Sequence, residues 1–120
     1  MRSLPSAPGA RAVALASLIV LGACGSDTDP ACDRSFLRYD NFGSPFIVNW
    51  CRACHSAELP PDMRQQAPAG VDFDTLTEIR AWSTSITITT GDDRATMPPA
   101  GGPSSSERAM LVEWLRCGAR

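Results

Sequence analysis

The sequence contains no lysine and a single histidine, His55. Its eleven cationic side chains are therefore all arginine, and no site needing two imidazoles can be built from this chain alone. Two of the arginines fall within the first 23 residues; the remainder of the chain sets nine Arg against thirteen Asp and Glu, a net charge of −4. Nucleic-acid binding rests on cations that neutralise phosphates, so this balance argues against that class. A long apolar run is also missing. The best candidate, residues 12–21, is too short to span a bilayer comfortably as a helix. Length is limited too: 120 residues hold at most one domain, and a core of that size is marginal without help from a bound group, a cross-link or both.

The short apolar run does fit an export signal. Arg2 and Arg11 give a positive start, residues 12–21 are the apolar part, and Leu21-Gly22-Ala23-Cys24 resembles the lipobox of bacterial lipoproteins. That resemblance implies lipidation of Cys24 and cleavage before it, and two or more acyl chains give stable anchoring. The chain then divides into a leader (1–23), a lipidated terminus and polar tether (24–31) and a folded domain (32–120). An ordinary secretory signal with an incidental Cys is the alternative. An exported, lipid-anchored protein on the periplasmic side of a bacterial membrane or at the cell surface is the expectation.

With Cys24 so assigned, four cysteines remain. Cys32 and Cys117 stand near the two ends of the domain and are expected to bridge in an oxidising compartment, where a loop that long is worth about 4–5 kcal/mol in the chain-entropy model. Two buried thiols are the alternative. The other pair belongs to Cys51-Arg52-Ala53-Cys54-His55, the attachment signature of a c-type haem. Two thiols three residues apart lie within one helical turn, where both can add to the vinyl groups of one porphyrin, and the next residue, His55, falls under the iron as its first axial ligand. A dithiol oxidoreductase or a zinc knuckle could use the same cysteines. The first belongs in a strand-helix pattern not found here, and the second needs further ligands at matching spacing.

Local signals place helices around this motif. Ser44-Pro45 starts one, with Asp40 as an earlier possible start, and Phe46, Ile47 and Trp50 form its buried stripe. Residues 32–39 read as a connecting or edge segment. Pro60, Pro61 and Pro68 keep 56–71 open. Thr75 and Glu78 form a capping box, with Asp74 as an alternative cap, for a helix carrying Leu76, Ile79, Ala81 and Trp82. Residues 83–90 alternate β-branched side chains and, read alone, suggest a short strand. Ser104 and Glu107 cap a last helix with Leu111, Trp114 and Leu115 on one face, and Gly118 can end it in the left-handed conformation.

Because His55 is alone, the sixth position of a bound iron falls to Met, another atom, water or nothing. Met63 is eight residues from His55, too close to pass around a porphyrin edge, and Met110 reads as core or surface. Met97 lies 42 residues on, in a loop that Pro98 and Pro99 hold extended, and is the expected ligand. A Met that merely lines a Pro-rich turn is the alternative. Met/His ligation raises the reduction potential and fills both axial positions, which suits outer-sphere electron transfer.

Together these residues resemble class I cytochromes c, and more narrowly the small single-haem cytochrome lipoproteins of bacteria. The likeness runs from Tyr39-Asp40-Asn41-Phe42 through Cys51-Arg52-Ala53-Cys54-His55-Ser56, Arg64, Ala67-Pro68 and Val71-Asp72-Phe73-Asp74 to Met97-Pro98-Pro99 and Leu111-Val112-Glu113-Trp114-Leu115-Arg116-Cys117-Gly118-Ala119. It implies an all-α fold of short helices around one covalent haem c, with first and last helices crossing near a haem edge and a helix, not a strand, at 83–90. It also implies that the carbonyl of Pro60 or Pro61 accepts the His55 Nδ1 proton, and that Arg80, Arg94 or Trp82 pairs with haem propionates. The implied task is one-electron transfer between redox partner proteins, with no catalytic residues of the chain's own. Two other classes stay open: a haem enzyme or sensor of peroxide or diatomic gases with an open sixth position, and a zinc-binding structural lipoprotein.

Overall fold

A computed structural model describes residues 29–92 and 94–120. The leader, Cys24 and most of the tether lie outside the described residues. The end of the tether is helical: the Asp29 carboxylate accepts the Ala31 N–H and caps α1 (Pro30–Arg34), a turn the sequence reading had placed in a connecting segment. Ser35 to Arg38 then runs extended, burying Leu37 and leaving Phe36 in solvent. A π-helical turn, Tyr39–Gly43, leads without a break into α2 (Ser44–Trp50); Pro45 stands in the first turn of α2 as expected, but the chain is helical from Tyr39 on and neither Ser44 nor Asp40 caps it.

The remaining helices follow their caps. In α3 (Leu76–Ala81) and in α5 (Ser105–Arg116), the Thr75 and Ser104 hydroxyls accept N–H groups three residues on, and Glu78 and Glu107 reach back to the cap N–H groups at 2.8 Å. Of the apolar residues expected on α3, Ile79 is buried, Leu76 is half-buried and Ala81 is exposed, while Trp82 is the half-buried residue that closes the helix. Asp74 is not a cap; its carboxylate is turned to another use described below. Residues Ser83–Thr90 form a helix, α4, and no strand occurs among the described residues. Gly118 closes α5 at φ +80°, as its lack of a Cβ permits.

Trp114, Ile47, Ile79 and Leu111 are the fully buried centre of the core. The Tyr39–Gly43 turn and α5 meet there at Gly43, whose Cα lies so close to the Trp114 ring that a Cβ would stand 2.2 Å from Cζ2. Tyr39 and Phe42 pack on the same indole, with ring centroids 6.4 and 6.2 Å away. Cys32 and Cys117 form a disulfide with Cα atoms 5.3 Å apart, joining α1 to the end of α5. The Arg120 carbonyl accepts both the Tyr39 N–H (2.6 Å) and the Trp114 Nε1–H (3.2 Å), so the segment after α5 is tied to the Tyr39–Gly43 turn by backbone as well as α1 to α5 by sulfur.

Candidate functional site

An apolar cavity of about 470 Å³ opens beside α2 and α4 and is bordered by Cys51, Cys54, His55 and Met97. No Asp, Glu or Arg side chain lines it. The turn that delivers the motif begins where α2 ends at Trp50: Cys54 N–H and His55 N–H both donate to the Cys51 carbonyl, at 3.1 and 3.0 Å. Cys51 and Cys54 are free thiols, in contrast to the bridged outer pair. Burial, and then the neighbouring Cys54, push the Cys51 thiol up to about 12. A thiol held neutral in this way lacks the thiolate that dithiol oxidoreductases attack with.

Four consecutive residues, Val71 to Asp74, hold the motif from behind. The Val71 carbonyl lies 2.8 Å from His55 Nδ1, which leaves Nε2 as the nitrogen with a free electron pair. This corrects the expectation that Pro60 or Pro61 would supply that carbonyl. Phe73 N–H donates to the His55 carbonyl at 3.0 Å, and its ring stacks on the imidazole with centroids 4.7 Å apart. Asp74 Oδ1 accepts from Arg52 Nε (2.9 Å) and Ser56 Oγ (2.7 Å), and Oδ2 accepts from Ala57 N–H (2.8 Å). Partial burial works to raise the Asp74 pKa, but the hydrogen bonds from Ser56, Ala57 and Arg52 outweigh it and hold the carboxyl below its ordinary value. Asp72 forms an ion pair with buried Arg64 at 2.7 Å.

Met97 is held at the cavity edge by its backbone. Its N–H and that of Thr96 both donate to the Thr89 carbonyl of α4 at 2.9 Å, and its carbonyl accepts from Arg108 Nη1 of α5 at 3.2 Å. The same Arg108 nitrogen reaches the Thr90 carbonyl at 2.6 Å, and Nε reaches Pro103. The Met97–Pro98 bond is cis and the segment turns here, where the sequence suggested an extended loop. Met97 is 39% exposed, Met63 is 58% exposed and borders no part of the cavity, and Met110 is packed against the core.

Of the expected propionate partners only Trp82 lines the cavity. Arg80 instead donates to the carbonyls of Gly118 and Ala119, each at 3.0 Å, fastening α3 to the chain's end. Arg94 is exposed, 3.6 Å from Asp92. In the sequence Arg64 and Phe73 stand out only as part of the family likeness, with no task of their own, Arg108 does not stand out at all, and Asp74 reads as an alternative helix cap, a place the structure gives to Thr75. One signal was available: Arg64 is the sole cation between Arg52 and Arg80.

The donor set can be tested against candidate groups. Among the described residues, no three His, Cys, Asp or Glu side chains gather as they would around a bare metal ion. One imidazole with a free Nε2, two free thiols, a thioether and apolar walls around a single cavity do fit a covalently held porphyrin with two axial ligands. No described helix is long and apolar enough to cross a membrane. No protein-family description, curated protein or solved structure matches the chain.

Proposed function

We propose that this chain is a single-haem c-type cytochrome that carries one electron at a time between redox partner proteins, tethered to a membrane through Cys24. The observation that carries the reading is the convergence of Cys51, Cys54, His55 and Met97, drawn from segments 42 residues apart, on one apolar cavity. Cys51 and Cys54 would hold the macrocycle by thioether bonds, His55 Nε2 would be one axial ligand and the Met97 sulfur the other. The bound haem would supply a reversible one-electron couple at iron. The chain's own residues do the rest. The Val71 carbonyl and the Phe73 ring fix the imidazole, Thr89 and Arg108 fix the Met97 backbone, and the mainly apolar walls offer the macrocycle a surface to pack on.

The test is expression with a haem-attachment system, followed by mass and visible spectra. Covalent haem and a weak far-red band in the ferric protein, reporting iron bonded to methionine sulfur, are expected. The band should vanish in Met97→Ala. Unmodified Cys51 and Cys54 would overturn the reading. Met97 is more than a third exposed, which favours one further outcome worth measuring. Ready carbon monoxide binding by the unmutated ferrous protein, with no far-red band, would replace the electron carrier by a haem module with an open sixth position.

A further inference from the structure

We propose that Arg64 is a positioning residue for His55, setting through a shared carbonyl how much electron density the imidazole gives to a bound iron. The inference rests on the haem reading above. Arg64 is only 6% exposed, and its guanidinium is enclosed by backbone oxygens. Nε donates to Ala67 at 3.3 Å, Nη1 to Ser56, and Nη2 to Pro68 at 2.8 Å and to Val71 at 3.4 Å. The Val71 carbonyl is also the group 2.8 Å from His55 Nδ1. One oxygen therefore serves the imidazole and a buried cation together, and a second carbonyl held by that cation belongs to Ser56, next to His55 in the chain.

The direction of the effect follows from elementary electrostatics. A carbonyl that also accepts from a guanidinium has less electron density for the imidazole N–H, so the ring keeps its Nδ1 proton more firmly and is a weaker donor at Nε2. A weaker donor stabilises ferric iron less. A buried positive charge nearby has the same sign, since it disfavours the state of higher positive charge. Asp72 opposes both. Its Oδ1 stands 2.7 Å from Arg64 Nη2 yet makes no hydrogen bond, so it acts on the guanidinium as a charge. Arg64 should thus raise the potential of the couple and Asp72 should lower it.

The experiment is the midpoint potential of the haem-loaded full chain, measured for the unmutated protein, Arg64→Gln and Asp72→Asn, with thermal melts of each. Both variants should melt earlier, because each strands a buried partner. The potentials should part: a fall for Arg64→Gln and a rise for Asp72→Asn, with the far-red band kept in both. A residue that only braces the loop would lower both melting temperatures and leave both potentials in place, or move them together, and either result overturns the proposal. If Arg64→Gln does not accumulate with haem, Asp72→Asn decides alone, a rise supporting the proposal and no change or a fall overturning it. Absence of thioether-bound haem in the unmutated protein would overturn the haem reading and this inference together, whereas unmoved potentials in haem-loaded variants overturn this inference only.

Discussion

At the scale of single residues, the site is held by groups whose importance comes from their contacts more than from their type. Asp74 is the clearest case. Its folded pKa lies below the ordinary carboxylate value, so the ionised form is favoured by folding. The resulting stability is fully present above the unfolded pKa, about 4, and is lost as pH falls through the lowered folded value. Asp74→Asn should therefore cost roughly 1.5–3 kcal/mol at neutral pH, the range for hydrogen bonds to a charged group. The gap between variant and unmutated protein should close in acid; urea titrations at pH 7 and through the acid range check this, and a gap independent of pH would show that the charge is not what Ser56, Ala57 and Arg52 recognise. Arg108 is the counterpart on the Met97 side. Arg108→Ala leaves the carbonyls of Thr90, Met97 and Pro103 without that donor and should cost about 1–3 kcal/mol. In the haem-loaded protein it should also weaken the far-red band, since the Arg108 guanidinium ties the Met97 carbonyl to α5. The motif itself was legible from five adjacent letters. The grip on it was not, because Val71, Phe73 and Asp74 act through a backbone oxygen, a ring face and a carboxylate brought alongside by the return of the chain.

Among the elements, the two capped helices were legible and α4 was misleading. Thr75 with Glu78, and Ser104 with Glu107, carry their meaning within four residues, and the structure uses both boxes. Residues 83–90 alternate Thr and Ile in a way that reads as a strand, yet the buried positions are Ile86 and Thr90, one helical turn apart, while Ile88 is left 70% exposed. The Thr89 hydroxyl donates to the Ser85 carbonyl one turn back, so it is satisfied within the helix. What decides the conformation is the core and cavity wall that Ile86 joins, a tertiary fact absent from the local pattern. A second element-scale feature is the loop between Arg64 and Ala67, where Gln65 and Gln66, at φ +50° and +72°, line the cavity in a conformation that L side chains rarely adopt. Each such residue costs on the order of 1–2 kcal/mol, partly offset in a glycine replacement by the extra freedom of the unfolded chain. Gln66→Gly should leave stability unchanged or raise it by up to about 1 kcal/mol in a urea titration. A loss above that would mean that the Gln66 side chain contributes more than its backbone strain removes. The helix crossing gives the opposite expectation. Gly43→Ala drives a methyl into the Trp114 ring and should cost about 1–3 kcal/mol, seen as a lower urea midpoint at unchanged slope.

For the whole molecule, the question is how fewer than a hundred described residues, with only a few fully buried large side chains, can surround a 470 Å³ cavity. Two fasteners act on different parts. The Cys32–Cys117 disulfide, with the Arg120 carbonyl beside it, joins the ends of the domain and so holds α5 against the Tyr39–Gly43 turn. On the proposed reading, haem joins 51–55 to Met97 and fills the cavity, and its binding adds to folding stability. The fasteners share no residue, so removing one should leave the other's effect intact. Opening the disulfide frees a loop of 85 residues in the unfolded chain and should cost about 4–5 kcal/mol. A small domain without haem has little more than that to lose, so the haem-free protein should unfold on reduction, seen as loss of far-UV helical signal at room temperature. The haem-loaded protein should keep its helices and its far-red band under the same reductant, after reoxidation of the iron, with only a lower melting temperature. If reduction abolished the band in folded protein, the two fasteners would be coupled: the disulfide would then set the seat of α5 and, through Arg108, that of Met97.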